Sequence, residues 1–216
     1  MRLGALFLIM LALAACIPRG GERREAPRAT PPARAERGGA ETLQCHIDLA
    51  REGIGFRALP DQRFEGGCSA LGAVQLLNIG TPVTNLKAMT CPLARAFARW
   101  SREAAQPAAD QWLGSPIVRI ETFGTYSCRS RNSRPGARLS EHGLANAVDV
   151  SGFVLGDGRR ITVQDGWNGE DERVRRFLRA VHQAGCRRFN IGLSPDSDAY
   201  HYNHMHFDMG RGPYCR

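Results

Sequence analysis

"SEHGLANAVDVSG" (residues 140–152) and "HYNHMHFDMG" (201–210) decide how this chain folds. The first sets His142 and Asp149 seven positions apart in a run of small and apolar residues, and the second gathers three of the chain's six histidines. Successive side chains of a strand face opposite sides. "HMHFDM" alternates strictly, so as a strand it puts His204, His206 and Asp208 on one face and Met205, Phe207 and Met209 on the other. The apolar face belongs against a core, which leaves the histidine face open toward a cleft. Asp149 points opposite to Val148 and Val150 for the same reason. If the two strands pair, Asp149 and His206 meet on one face, and His142, in the loop before its strand, can turn in to join them. Two imidazoles and one carboxylate around an open fourth position form the donor set of a catalytic zinc site.

The segments around these two stretches supply the frame. "TCPLARAFARWSREAAQ" (90–106) predicts a helix capped by Thr90, with Pro92 in its first turn. Leu93, Phe97, Trp100 and Ala104 form its apolar face, and Pro107 helps stop it. "PIVRIETF" (116–123) predicts a strand with Val118 and Ile120 on one face and Ile117 and Arg119 on the other. "NAVDVSGFVL" and "RRITV" flank Gly156–Asp157–Gly158 and read as a hairpin. "DERVRRFLRAVHQAG" (171–185) predicts a second helix with a stripe of Val174, Phe177, Leu178 and Val181, and Gly185 suits its C-terminal cap. Helices before and between antiparallel strand pairs give a single α+β domain, a small antiparallel sheet carrying the metal site with flanking helices.

The N-terminus speaks of export. Arg2 precedes the apolar run "LGALFLIMLALAAC", the pattern of a secretory signal and too short to be a convincing membrane span. "LAAC" (13–16) resembles a bacterial lipobox, which implies a signal peptide over 1–15, cleavage before Cys16 and membrane anchoring through lipid on its thiol. The alternative is an ordinary signal with a chance cysteine. Residues 16–41 are rich in Pro, Gly, Arg, Glu and Ala without an apolar period, and read as a flexible tether. Residues 42–216, about 175, suffice for one domain with a real core. The net charge of +8 suits an acidic partner such as a cell-envelope polymer. Nucleic acid is not expected, since no such motif appears and the chain is exported. Setting Cys16 aside leaves Cys45, Cys68, Cys91, Cys128, Cys186 and Cys215, an even set that implies disulfides in an exported chain. Nearest neighbours in sequence predict 45 with 68, 91 with 128 and 186 with 215.

The pattern carries a resemblance. Ser140, His142, Ala147 and Asp149 resemble the S-x-H-x-x-G-x-A-x-D pattern of zinc peptidases that cut D-amino-acid bonds in peptidoglycan, with Ala145 where glycine is usual. That group holds the D-Ala-D-Ala carboxypeptidases and the penicillin-insensitive murein endopeptidase, and "HYNHMH" is similar to the H-x-x-H-x-H of the latter branch. The spread of "YSCR", "RLSEHGLANAVDVSGF", "GDGR" and "HYNHMHFDM" resembles more closely the bacterial extensin-like C-terminal domain family, over most of residues 42–216. The resemblance implies a zinc peptidase of the cell envelope (periplasm) acting on peptidoglycan, as endopeptidase or carboxypeptidase. It also implies zinc ligands at His142, Asp149 and His206, with His204 as accessory catalytic histidine.

One departure matters. The carboxypeptidase branch carries a glutamate three residues before its last ligand, and here that position is Asn203. His204 is then the best candidate for the base, and His201 either assists it or orients Asn203 and its loop. Arg129 resembles the arginine of the peptidases' Y-R segment and would bind a substrate carboxylate or the developing oxyanion, or else is a surface arginine beside a disulfide. Ser140 either bonds substrate or shapes its turn. Asp208 reads as a partner of a ligand rather than a ligand. His46 and His182 read as structural, and Trp167 as packing or as part of a groove. The missing glutamate also supports a second reading, a non-catalytic cell-wall-binding or structural lipoprotein of the same fold.

Overall fold

The protein is described from a computed structural model, which covers residues 34–216. The signal, the lipobox-like stretch with Cys16 and the tether up to residue 33 lie outside the described residues. Helix α1 (Arg34–Arg51) begins inside the segment read as a tether, so that segment is helical from Arg34 onward.

Two sheets and a short ribbon follow α1. Strands β1 (Gly55–Ala58), β4 (Ala73–Asn78) and β5 (Met89–Thr90) form a three-stranded antiparallel sheet, and β2 (Gln62–Arg63) pairs with β3 (Ser69–Ala70). The larger sheet holds β6 (Ile117–Gly124), β7 (Ala147–Leu155), β8 (Arg160–Thr162), β9 (Ile191–Leu193), β10 (Met205–Asp208) and β11 (Tyr214–Cys215). Its order is β11-β9-β10-β7-β6, with β8 hairpinned onto β7 as predicted. Every pair is antiparallel except β11 with β9. The fold is the expected α+β single domain.

Four details correct the sequence reading. The helix predicted over 90–106 does not stop at Pro107. Helix α2 (Cys91–Trp100) passes through a π-helical turn (Ser101–Ala105) into α3 (Gln106–Leu113). Pro107 sits in the first turn of α3, where the wider turn before it has already broken the i to i−4 ladder. Gly114, at φ 67°, ends the run instead. Thr90 stands at the start of α2 without capping it, because its Oγ1 donates to Asn146 Oδ1 at 2.8 Å. In β6 the alternation breaks, and Ile117 and Ile120 are both buried while Val118 is exposed. An irregular register between Ile117 and Arg119 brings two residues three apart onto the core side. Gly185 is no cap. It lies inside α5 (Glu172–Cys186), which follows the single-turn helix α4 (Val163–Gly166), and a Cβ there would stand 2.2 Å from Phe207 Cε1.

The core shows what that glycine is for. Trp100, Phe153, Phe177 and Phe207 are fully buried, and Phe207 stacks on Phe189 with centroids 4.9 Å apart. Trp100 Nε1 donates to the Val181 carbonyl at 2.9 Å, tying α2 to α5. Met205 and Phe207 fill this core from β10, so the opposite face of β10 is committed to the cleft side.

The disulfides pair Cys45 with Cys91, Cys68 with Cys128 and Cys186 with Cys215. Only the last matches the nearest-neighbour expectation. Cys45 lies on α1, which packs against α2 and so meets Cys91 at its start. Chain proximity carries no information about that helix contact.

Candidate metal centre

The site is built on the pairing of β7 with β10. His206 stands directly across from Asp149, and its Nδ1 lies 2.8 Å from Asp149 Oδ1. His142 enters from a 3-10 turn (Glu141–Leu144) just ahead of β7, and its Nε2 lies 3.1 Å from Asp149 Oδ2 and 3.2 Å from His206 Nδ1. Ser140 starts this turn, and its Oγ accepts from the His142 backbone N–H. Of the two roles read for Ser140, the turn-shaping one is visible. Ala145 closes the turn in the left-handed region at φ 54°, a conformation that favours glycine.

Each imidazole is held from behind. His142 Nδ1–H donates to the Thr125 carbonyl at 2.7 Å, which turns Nε2 toward Asp149. His206 Nε2–H donates to Asp208 Oδ2 at 2.9 Å, which leaves Nδ1 facing Asp149. Such partners orient metal-binding histidines and raise their basicity. The His142, Asp149 and His206 donor atoms lie within 4.8 Å of one another. They converge at the bottom of a cleft of about 1090 Å³.

Residues 43–216 match the family described as extensin-like protein C-terminus. The chain belongs to that family. No curated protein and no solved structure matches it.

The electrostatics of this extensin-like domain couple the three donors. Burial opposes ionisation of Asp149, yet hydrogen bonds from His142 and His206 hold its carboxyl well below the usual range. Burial likewise disfavours a charged His206, and the Asp149 and Asp208 carboxylates outweigh it, pushing the imidazole up to about 9. Two imidazoles and a carboxylate, each preset by a neighbour, fit a zinc ion.

The other expected residues of the extensin-like domain surround this point. Arg129 Nη2 lies 3.7 Å from Asp149 Oδ2, so the guanidinium faces the centre although Cys128 beside it is in a disulfide. His204 Nε2 lies 3.5 Å from Asp149 Oδ1, and its Nδ1 bonds Asn203 Oδ1 at 2.9 Å. Burial pulls His204 down to about 4, so it is neutral near pH 7. His201 is buried with its ring 5.1 Å from that of His204, and its Nδ1 meets Asp198 Oδ1 at 2.8 Å. Glu141 turns away to accept from Asn146 at 2.7 Å. Asp198 and the Thr125 carbonyl were not anticipated. Asp198 had a faint signal, three residues ahead of His201, and a backbone carbonyl has none. A second convergence, His182 with Cys186 and Cys215, is taken up by the disulfide between the two cysteines. His182 and Trp167 pack edge to face at 5.7 Å and serve the core.

Proposed function

We propose that this extensin-like domain is a zinc-dependent peptidase hydrolysing D-amino-acid peptide bonds in peptidoglycan. The observation that carries the reading is the convergence of His142 Nε2, Asp149 and His206 Nδ1, with Thr125 and Asp208 fixing the two rings. These three residues would hold the ion. Zinc bound there would supply Lewis-acid activation of a water molecule and of the peptide carbonyl. His204, neutral and beside Asp149, takes the proton from the attacking water and returns it to the departing amine. Water oxygen bonds to the carbonyl carbon as the C–N bond breaks, so no further reactant is needed. Arg129 offers its guanidinium to the developing negative oxygen or to a substrate carboxylate. The Asp198–His201 pair stands behind His204 and fixes the loop that carries it.

The signal-like N-terminus and the basic charge support a cell-envelope, lipid-anchored setting in which this polymer is the neighbour. The replacement of the expected glutamate by Asn203 favours a second reading, a wall-binding lipoprotein that keeps the site and not turnover.

The deciding experiment incubates zinc-loaded protein with purified peptidoglycan and separates the muropeptides by liquid chromatography. New cleavage products that vanish on chelation and return with added zinc are expected. A protein that holds a full zinc and releases nothing from several wall preparations overturns the peptidase in favour of the binding lipoprotein.

A further inference from the structure

Among the described residues five aromatic side chains of Phe and Tyr are exposed, and four of them line the cleft over the metal centre. Phe123, Tyr200, Tyr202 and Tyr214 each leave more than half of their surface in water. They come from separate elements, the end of β6, the loop before β10 and strand β11. Such area in water is unfavourable by about 25 cal/mol per Å² unless a ligand covers it. The charges add a second observation. Lys87, Arg131 and Arg211 also line the cleft, are exposed and have no ion-pair partner among the described residues. Of the cleft's carboxylates only Asp198 is exposed, since Asp149 and Asp208 are buried against His206 and Glu141 is half-buried against Asn146. The three exposed cations outnumber that one exposed carboxylate, so the rim carries net positive charge.

We propose that this rim binds a run of sugar units bearing free carboxylates, next to the units whose carboxyl carries the scissile peptide. A sugar ring shows an apolar C–H face to an aromatic side chain and hydroxyls to its polar handle, and tyrosine offers both surfaces. The cations pair with carboxylates hung from the sugars. An apolar peptide would instead demand an enclosed apolar pocket, whereas these rings are spread along an open, polar cleft. The choice of sugar rests on the cell-wall reading above, and the rim does not depend on turnover.

The test is binding of the zinc-loaded protein, by calorimetry, to peptidoglycan glycan strands stripped of their peptides and to neutral oligomers of β-1,4-linked N-acetylglucosamine. Neither contains a peptide bond of the wall, so hydrolysis plays no part. The parent should bind both, the acidic strands more tightly and with affinity falling as salt rises. Tyr200→Ala with Tyr202→Ala should weaken both ligands by roughly tenfold. Arg131→Gln with Arg211→Gln should weaken only the acidic strands. Zinc content and thermal midpoint, read on every variant, should match the parent because all four side chains are exposed. Absence of binding to stripped strands, or variants that bind like the parent, overturns the inference, and binding of free stem peptide alone assigns the rim to peptide. Sugar binding by a protein that cuts nothing would retain this inference and sink the peptidase.

Discussion

His206 stands directly opposite Asp149 on paired antiparallel strands, with Nδ1 2.8 Å from the carboxylate. That register is locked from the other side of the sheet. A slip of one residue would drive Phe207 into the cleft and His206 into the aromatic core, so the packing of Met205 and Phe207 also fixes the metal centre.

Asp208 should control how well that centre binds metal. Its carboxylate receives the His206 Nε2–H at 2.9 Å and thereby turns Nδ1 toward Asp149. Asp208→Ala should lower zinc affinity by roughly 10- to 100-fold while the protein stays folded. Competition against a chromophoric chelator measures this. An unchanged affinity would mean that the ring is oriented without Asp208.

Gly185 sets two effects against each other. Inside α5 an alanine gains about 1 kcal/mol of helix propensity over glycine. Its Cβ would stand 2.2 Å from Phe207 Cε1 and 2.4 Å from Cζ, and overpacking a core costs about 1–3 kcal/mol or more. The steric term wins at that distance, so Gly185→Ala should lower the urea midpoint. Zinc affinity should fall with it, because Phe207 is the neighbour of His206 on β10. A midpoint that rises would show that the ring moves aside freely.

Several of these residues were legible in the sequence and several were not. The alternation of "HMHFDM" and the apolar flanks of Asp149 suffice to place Asp149 and His206 together, because a half-buried strand has only two faces. His142 followed from its place just ahead of β7. The Thr125 carbonyl is a backbone group that any residue type supplies, so no letter marks it. The disulfide partners of Cys45 and Cys68 depend on how distant segments pack. Pro107 and Gly185 were read by local rules, a stop and a cap, that the π turn and the Phe207 ring override. Ala145 shows the reverse case, in which a departure from the glycine of the pattern leaves the left-handed turn in place.

His182 should give the domain a pH-dependent stability away from the metal. Burial, against the pull of a Gly192 backbone hydrogen bond and of Asp196, holds its folded value below the ordinary 6.5. Above that value both folded and unfolded chains carry a neutral ring, and the full stability is present. As pH falls below it, the unfolded chain takes up the proton first, and stability is lost until the folded value is passed. The denaturant midpoint of zinc-loaded protein should therefore decline from pH 7 to pH 5. His182→Phe should lose less over the same window, and the difference between parent and variant isolates this ring from other titrating groups. Parallel pH profiles for the two would remove His182 as the cause.

The sharpest division between metal and chemistry lies at His204. It shares a face with His206, and its Nδ1–H donates to Asn203 Oδ1, so the lone pair sits on Nε2. That nitrogen is 3.5 Å from Asp149 Oδ1, which stands it beside the centre, and His204 is not among the three residues whose donor atoms converge. The Phe123 ring meets it edge to face at 5.6 Å and helps hold its plane. Burial keeps it unprotonated near neutrality, the form a base requires, and no glutamate stands at position 203 to share the task. His204→Ala should therefore keep its zinc while hydrolysis of peptidoglycan falls by about 10²- to 10⁴-fold, the usual yield of a positioned base. His206→Ala removes a donor and should lose both zinc and activity. Zinc content and muropeptide release read on the same samples distinguish the two losses. A His204→Ala protein that cuts as fast as the parent would leave the centre intact and move the proton transfer to another group, with His201, held by Asp198, next in line.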